Sequence, residues 1–125
     1  MAKVTGIGGV FFKAADPAAL RDWYAENLGL PVDDEGYVVI WWGGEVAGST
    51  VWGPFPPDTT AFDWPDDRQW MINYRVDDLD GILEKLRKRG VDVSEETLED
   101  VNGRFGHCWD PEGNRIQLWQ PSPGM

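Results

Sequence analysis

A chain of 125 residues with 42% hydrophobic and 13% aromatic content suits one globular domain that buries roughly two thirds of its unfolded surface, and is too short for a second. Its net charge of −11, from 22 acidic against 11 basic residues, repels phosphate backbones and argues against nucleic acid and anionic membranes as partners. One cysteine forms no internal disulfide, no apolar run nears the roughly 20 residues of a spanning helix, and MAKVTGIGGV has no signal-peptide core, so a cytoplasmic location is expected.

In chain order, the apolar run GGVFFK predicts a strand on which Gly9, Phe11 and Lys13 share a face. A helix follows, with Asp16 as N-cap, Pro17 at its first position, Leu20, Trp23, Tyr24 and Leu28 at helical spacing, and Gly29 as its end. LPVD, YVVIWW and GSTVWGPF read as short strands. The polar, proline-bearing stretch from Pro56 to Gln69 reads as a connection.

The same plan then recurs. MINYRV predicts a strand with Met71, Asn73 and Arg75 on one face and Ile72, Tyr74 and Val76 on the other. A second helix begins near Asp77 or Asp78, carries Leu79, Ile82, Leu83 and Leu86 on one stripe, ends in basic residues from Lys85 to Arg89 and stops at Gly90. VDVS, GRFGHCWD and NRIQLWQP read as three more strands. Gly9 matches Met71, Asp16 matches Asp78, Thr50 matches Gln117 and Trp52 matches Trp119, so the chain divides into modules at 4–55 and 70–121, joined by 56–69, within a single domain 1–125.

The last hairpin holds the lone histidine and the lone cysteine. Pro111 fixes φ near −65° and forbids a type I′ turn, so Asp110 to Gly113 reads as type I with Gly113 left-handed and Asp110 paired to Asn114. Counting outward, Trp109 opposes Arg115, Cys108 opposes Ile116 and His107 opposes Gln117. Cys108, Ile116 and Leu118 then share the apolar face toward the helices, which leaves Cys108 a small apolar residue and not a nucleophile. Other motifs carry no chemistry: GIGG leads into a strand and lacks a third glycine, Asp33-Asp34, Asp66-Asp67 and Glu95-Glu96 lie in turns or connections, and no serine sits in a nucleophile elbow.

Through FFKAADPAALRDWYAENLGL, YRVDDLDGILEKLRKRGV and GRFGHCWDPEGNRIQLWQP, the chain resembles the vicinal oxygen chelate superfamily, which includes glyoxalase I, bleomycin-resistance proteins, fosfomycin-resistance enzymes and extradiol dioxygenases. The resemblance implies an α+β fold of two βαβββ modules whose mixed sheet forms a cup, with helices on its convex side. It also implies a homodimer. In metal-using members four side chains on the concave face, usually histidine and glutamate, bind a divalent ion. Their places fall on Gly9, Thr50, Met71 and Gln117, none a histidine or carboxylate, and adding Glu45 as a neighbour of Thr50 does not complete a set. No metal and no other cofactor is expected.

With the concave face so identified, alternation lines it with Phe11, Trp52, Met71, Asn73, Arg75, Phe105, His107, Trp109, Arg115, Gln117 and Trp119. Flat apolar surface with sparse polar groups is what small-molecule pockets look like. The expected function is therefore metal-free binding of a small aromatic or hydrophobic molecule, in the manner of the bleomycin-resistance branch, and the acidity suits a cationic one. Three alternatives stand beside it. The aromatics also suit a self-filled barrel with a structural or regulatory role. His107 is a candidate acid–base catalyst, with Arg75 or Arg115, in a glyoxalase-like lyase, isomerase or dioxygenase relative. Arg75 and Arg115 suit either an anionic group or pairing with Asp63, Asp66 or Asp67.

Overall fold

The computed structural model describes residues 10, 14–34, 36, 38, 40, 50, 58 and 68–125. Helix α1, Pro17–Leu28, starts where Asp16 accepts a hydrogen bond from the Ala19 amide at 3.1 Å and ends at Gly29, whose φ of 69° is left-handed. Helix α2, Leu79–Lys88, has Asp78 as its N-cap, accepting from the Gly81 amide at 3.0 Å, and Lys85, Arg87 and Lys88 in its last turn. Each helix buries residues at i, i+4 and i+7: Leu20, Tyr24 and Asn27 in α1, Leu79, Leu83 and Leu86 in α2.

Four strands accompany them: β1, Ile72–Arg75; β2, Leu98–Asp100; β3, Gly103–Trp109; and β4, Arg115–Pro121. They form a mixed sheet in the order β1-β4-β3-β2, with β1 parallel to β4 and the other pairs antiparallel. The architecture is α+β, as expected. Of the chain before residue 68 the described residues show α1 and a bridge between Val32 and Val38; of the strands expected at GGVFFK, YVVIWW and GSTVWGPF only Val10, Val38, Ile40 and Thr50 are described, and most of the connection lies outside the described residues.

The core lies between the helices and one face of the sheet. Cys108, Ile116 and Leu118 are buried there against α1 and α2, with Tyr74 and Val76 packed alongside. Each fully buried leucine or isoleucine stabilises the fold by about 1.5–3 kcal/mol. Gly106 permits the close approach of α2 to β3: a Cβ there would stand 3.0 Å and 3.2 Å from the two Leu83 methyls. Gly106→Val is therefore expected to destabilise by about 1–3 kcal/mol, because Leu83 has to leave its packed position. Urea unfolding checks this, and an unchanged midpoint would contradict the packing.

One strand differs from expectation. VDVS supplies only a bridge, Val93 to Cys108, and the chain pairs again as β2, where Leu98 opposes Phe105. Five residue steps on the outer side therefore match three on β3, and the surplus bulges out at 95–97. TLED has no alternating apolar pattern, since all three residues of β2 are exposed, so nothing in its sequence signals a strand.

Candidate functional site

The β3–β4 hairpin is built by its turn. The Gly113 amide donates to the Asp110 carbonyl at 3.0 Å, Gly113 has φ 81°, and the Asp110 amide donates to the Asn114 carbonyl at 3.0 Å. A left-handed φ at Gly113 costs a residue without Cβ little. The resulting register pairs Trp109 with Arg115, Cys108 with Ile116 and His107 with Gln117, as the turn chemistry predicts.

The turn is also bolted to α1. Asp110 is buried, and its Oδ1 accepts from the Glu112 and Asn114 amides at 2.9 and 3.0 Å. Its Oδ2 accepts from the Tyr24 hydroxyl and Asn114 Nδ2, both at 2.8 Å. Burial first, then Tyr74 and the Asp110 carboxylate, hold the Tyr24 phenol protonated far above its ordinary range, so it remains a donor. Glu112 reaches the other end of the helix approach, accepting from the Ala15 amide at 2.7 Å and the Asp16 amide at 3.0 Å. Arg68 donates to Asn114 Oδ1 and to the Glu112 carbonyl. The DPEGN turn thus positions the site and supplies no chemistry to it.

On the sheet face away from the helices, three rows of side chains run across the strands. In the middle row, Asn73, Gln117 and His107 are register neighbours on β1, β4 and β3. Asn73 Nδ2 donates to Gln117 Oε1 at 2.8 Å, and Gln117 Nε2 lies 3.2 Å from His107 Nε2. Since Asn73 takes the Gln117 oxygen, the amide N–H is the group facing the imidazole, which makes His107 Nε2 the acceptor and places its proton on Nδ1.

The row on one side is Arg75, Trp119 and Phe105. The Arg75 guanidinium carbon sits 5.1 Å from the Trp119 ring centroid, and Phe105 stacks on Trp119 at 6.1 Å with planes 3° apart. Trp119 Nε1 donates to the Asn102 carbonyl at 3.0 Å, and the residue is 4% exposed. Trp119 is therefore a covered wall, and Arg75 and Phe105 are its outward surfaces. Leu98, paired to Phe105 on β2, extends this row; it escapes sequence reading because β2 itself does. The row on the other side holds Arg115 with its guanidinium carbon 5.7 Å from the Trp109 ring, and continuing the β1 register sets Met71 beside them.

The structure thus brings Asn73, Arg75, Phe105, His107, Trp109, Arg115, Gln117 and Trp119 to one face, with half-buried Met71 at its margin. Phe11 and Trp52 lie outside the described residues, as do Gly9 and Asp63, Asp66 and Asp67. Arg75 Nη1 donates to the Met125 carbonyl at 3.0 Å.

The places that hold a divalent ion in metal-using relatives do not fit one here. Thr50 is exposed and outside any described element, Met71 offers a soft thioether, and both ends of the Gln117 amide are engaged within the middle row. Among the described residues no three His, Cys, Asp or Glu side chains gather as a metal site requires.

Burial first, then repulsion from Arg115, pulls the His107 pKa down to about 4. Its unfolded value is near 6.5, so the folded state prefers neutral imidazole. That contribution is complete above about pH 6.5 and is lost as pH falls toward 4, where the unfolded chain binds the proton first. It amounts to about 3 kcal/mol, and His107→Gln is expected to flatten the fall in urea-unfolding free energy between pH 6.5 and 4. An unchanged pH profile in the variant would contradict the neutral, buried imidazole. The Cys108 thiol, on the core face, is pushed up to about 12 by burial, then by Asp110 and Asp92, and is no nucleophile.

Residues 9–119 match the glyoxalase-like domain family. Among solved structures, the chain is 25% identical to TnmS3, an antibiotic binding protein from Streptomyces sp. CB03234, with a TM-score of 0.54, covering 86% of this chain and 88% of that one. A structure from the mobile metagenome of V. Pseudocholerae shares the fold at TM-score 0.61 and 17% identity over 98% of both chains. TioX from Micromonospora sp. ML1 shares it at TM-score 0.50 and 13% identity, over 90% of this chain and 93% of that one. No curated protein matches the chain in sequence. With all but the ends of the chain matched to the family and the βαβββ sheet order in place, the chain belongs to the glyoxalase-like domain family of the vicinal oxygen chelate superfamily.

Proposed function

We propose that this protein is a bleomycin-resistance-like binding protein that holds a small aromatic or hydrophobic molecule against the sheet face described above, without a metal. The observation that carries the reading is the middle row: Asn73, Gln117 and His107 hold one another in fixed orientation between two aromatic rows. Sparse polar groups set among flat apolar surfaces orient a ligand and exclude water. His107 is neutral and its Nε2 lone pair is engaged, which favours binding over general-base catalysis. The likeness to an antibiotic binding protein supports the same reading. Among the described helices none is long and apolar enough to cross a membrane. A homodimer is part of the proposal, on the resemblance to the family alone.

The test is a thermal-shift screen of polycyclic aromatic antibiotics followed by mass spectrometry of the recovered compound. The reading predicts stabilisation by at least one compound, recovered unaltered. A stabilising compound recovered chemically changed would contradict it.

A further inference from the structure

The middle row has a polarity, and its buried end is a donor. Asn73 gives an amide N–H to Gln117, and Gln117 gives one to His107 Nε2, so both hydrogen bonds run from β1 toward β3. The imidazole that ends this run is neutral, with its proton on Nδ1. The two nitrogens point to opposite sides of the ring, so with Nε2 turned to β4 the Nδ1–H points away from that strand. Among the described residues nothing accepts this hydrogen. His107 is only 6% exposed, yet Nδ1 is not sealed from solvent, so the donor lies in a recess that an acceptor can enter. Phe105, two residues back on β3 and so on the same face, is half-buried and sets flat apolar surface beside it. Asn73, at the other end of the row, is exposed and open to water, so selection rests on the His107 end.

Resting on the binding reading above, we propose that the ligand is a neutral planar aromatic ketone whose carbonyl oxygen accepts a hydrogen bond from His107 Nδ1, with its rings beside Phe105. A carbonyl suits this donor better than a carboxylate does, because one neutral N–H does not repay the desolvation of a charged group. The Arg115 guanidinium on β4 already has the Glu96 carboxylate within electrostatic reach. Gln117 acts as a positioning residue, and Asn73 acts through it: the bond to Nε2 holds the imidazole in the tautomer that donates from Nδ1.

Calorimetric titration with three flat tricyclic compounds of one shape tests this: fluorenone, which presents a carbonyl; fluorene, with a methylene in its place; and carbazole, with an N–H there. Fluorenone is expected to bind about tenfold more tightly than fluorene, and carbazole no more tightly than fluorene. His107 is the only histidine, so nitrogen NMR of the labelled ring assigns both its nitrogens without ambiguity. It should show the proton on Nδ1 in the free protein, and an Nδ1 signal that moves with fluorenone and not with fluorene. In His107→Phe the ketone and the hydrocarbon should bind alike. The wild-type affinities and spectra decide the matter even where that variant fails to fold. Fluorene binding as tightly as fluorenone, a proton found on Nε2, or a ketone preference that survives in His107→Phe overturns this inference and leaves the binding reading standing. Binding of none of the three overturns the inference, and the thermal-shift screen then decides the binding reading by itself.

Discussion

Replacing Asp110 by alanine is expected to destabilise the protein by about 3–5 kcal/mol, lowering its melting temperature by roughly 10–20 °C. The carboxylate accepts four hydrogen bonds, from the Tyr24 hydroxyl, the Asn114 side chain and the amides of Glu112 and Asn114, at a residue only 5% exposed. Alanine leaves the Tyr24 phenol as a buried donor with no acceptor and frees the turn that sets the β3–β4 register. Asp110→Asn preserves shape but turns an amide N–H toward Asn114 Nδ2, so it should cost less, about 1–2 kcal/mol, and Tyr24→Phe about 1 kcal/mol. Differential scanning calorimetry of the three variants checks the order. If Asp110→Ala costs no more than Tyr24→Phe, the carboxylate is not the hub of this turn.

Trp119→Ala is expected to cost about 3–5 kcal/mol, because it removes a buried indole, the stack with Phe105, the seat of Arg75 and the hydrogen bond to the Asn102 carbonyl. Trp119→Phe keeps a flat ring between Arg75 and Phe105 and should cost roughly half as much. Below its lowered melting temperature Trp119→Ala should also bind aromatic compounds more weakly, since the row of Arg75, Trp119 and Phe105 loses its middle member. Urea unfolding and calorimetric titration separate the two effects. A loss of binding with no loss of stability would mean that Trp119 contacts the ligand directly and is not the covered wall described above.

How far the sequence discloses this site depends on the range of the forces involved. The hairpin register was legible because it follows from local chemistry: Pro111 rules out one turn, Gly113 permits another, and strand alternation does the rest. Both helices were legible for the same reason, through Asp16, Pro17 and Gly29 in one and Asp78 with the 79-83-86 stripe in the other. Contacts that join distant residues were not. The Tyr24–Asp110 bond spans 86 residues and the Glu112 bonds to Ala15 and Asp16 span 97 and 96, so nothing near DPEGN announces that it clasps α1. Alternation places Trp119 on the sheet face away from the helices, as the register does, yet it fixes direction and not neighbours; the ring lies between Arg75 and Phe105. The strand Leu98–Asp100 was missed because its pairing depends on the backbone of β3 and not on an apolar face of its own. The direction of the Asn73–Gln117–His107 row was equally hidden, since it emerges only when three strands lie side by side in register.

The central claim, that this glyoxalase-like protein holds an aromatic small molecule by its own side chains and without a metal, is tested most directly by calorimetric titration of one stabilising aromatic compound in EDTA and again with added Ni²⁺, Zn²⁺ or Mn²⁺. The account predicts the same affinity in every case, and a marked loss in Gln117→Ala, which breaks the middle row. Affinity that vanishes in EDTA and returns with a divalent ion would contradict it.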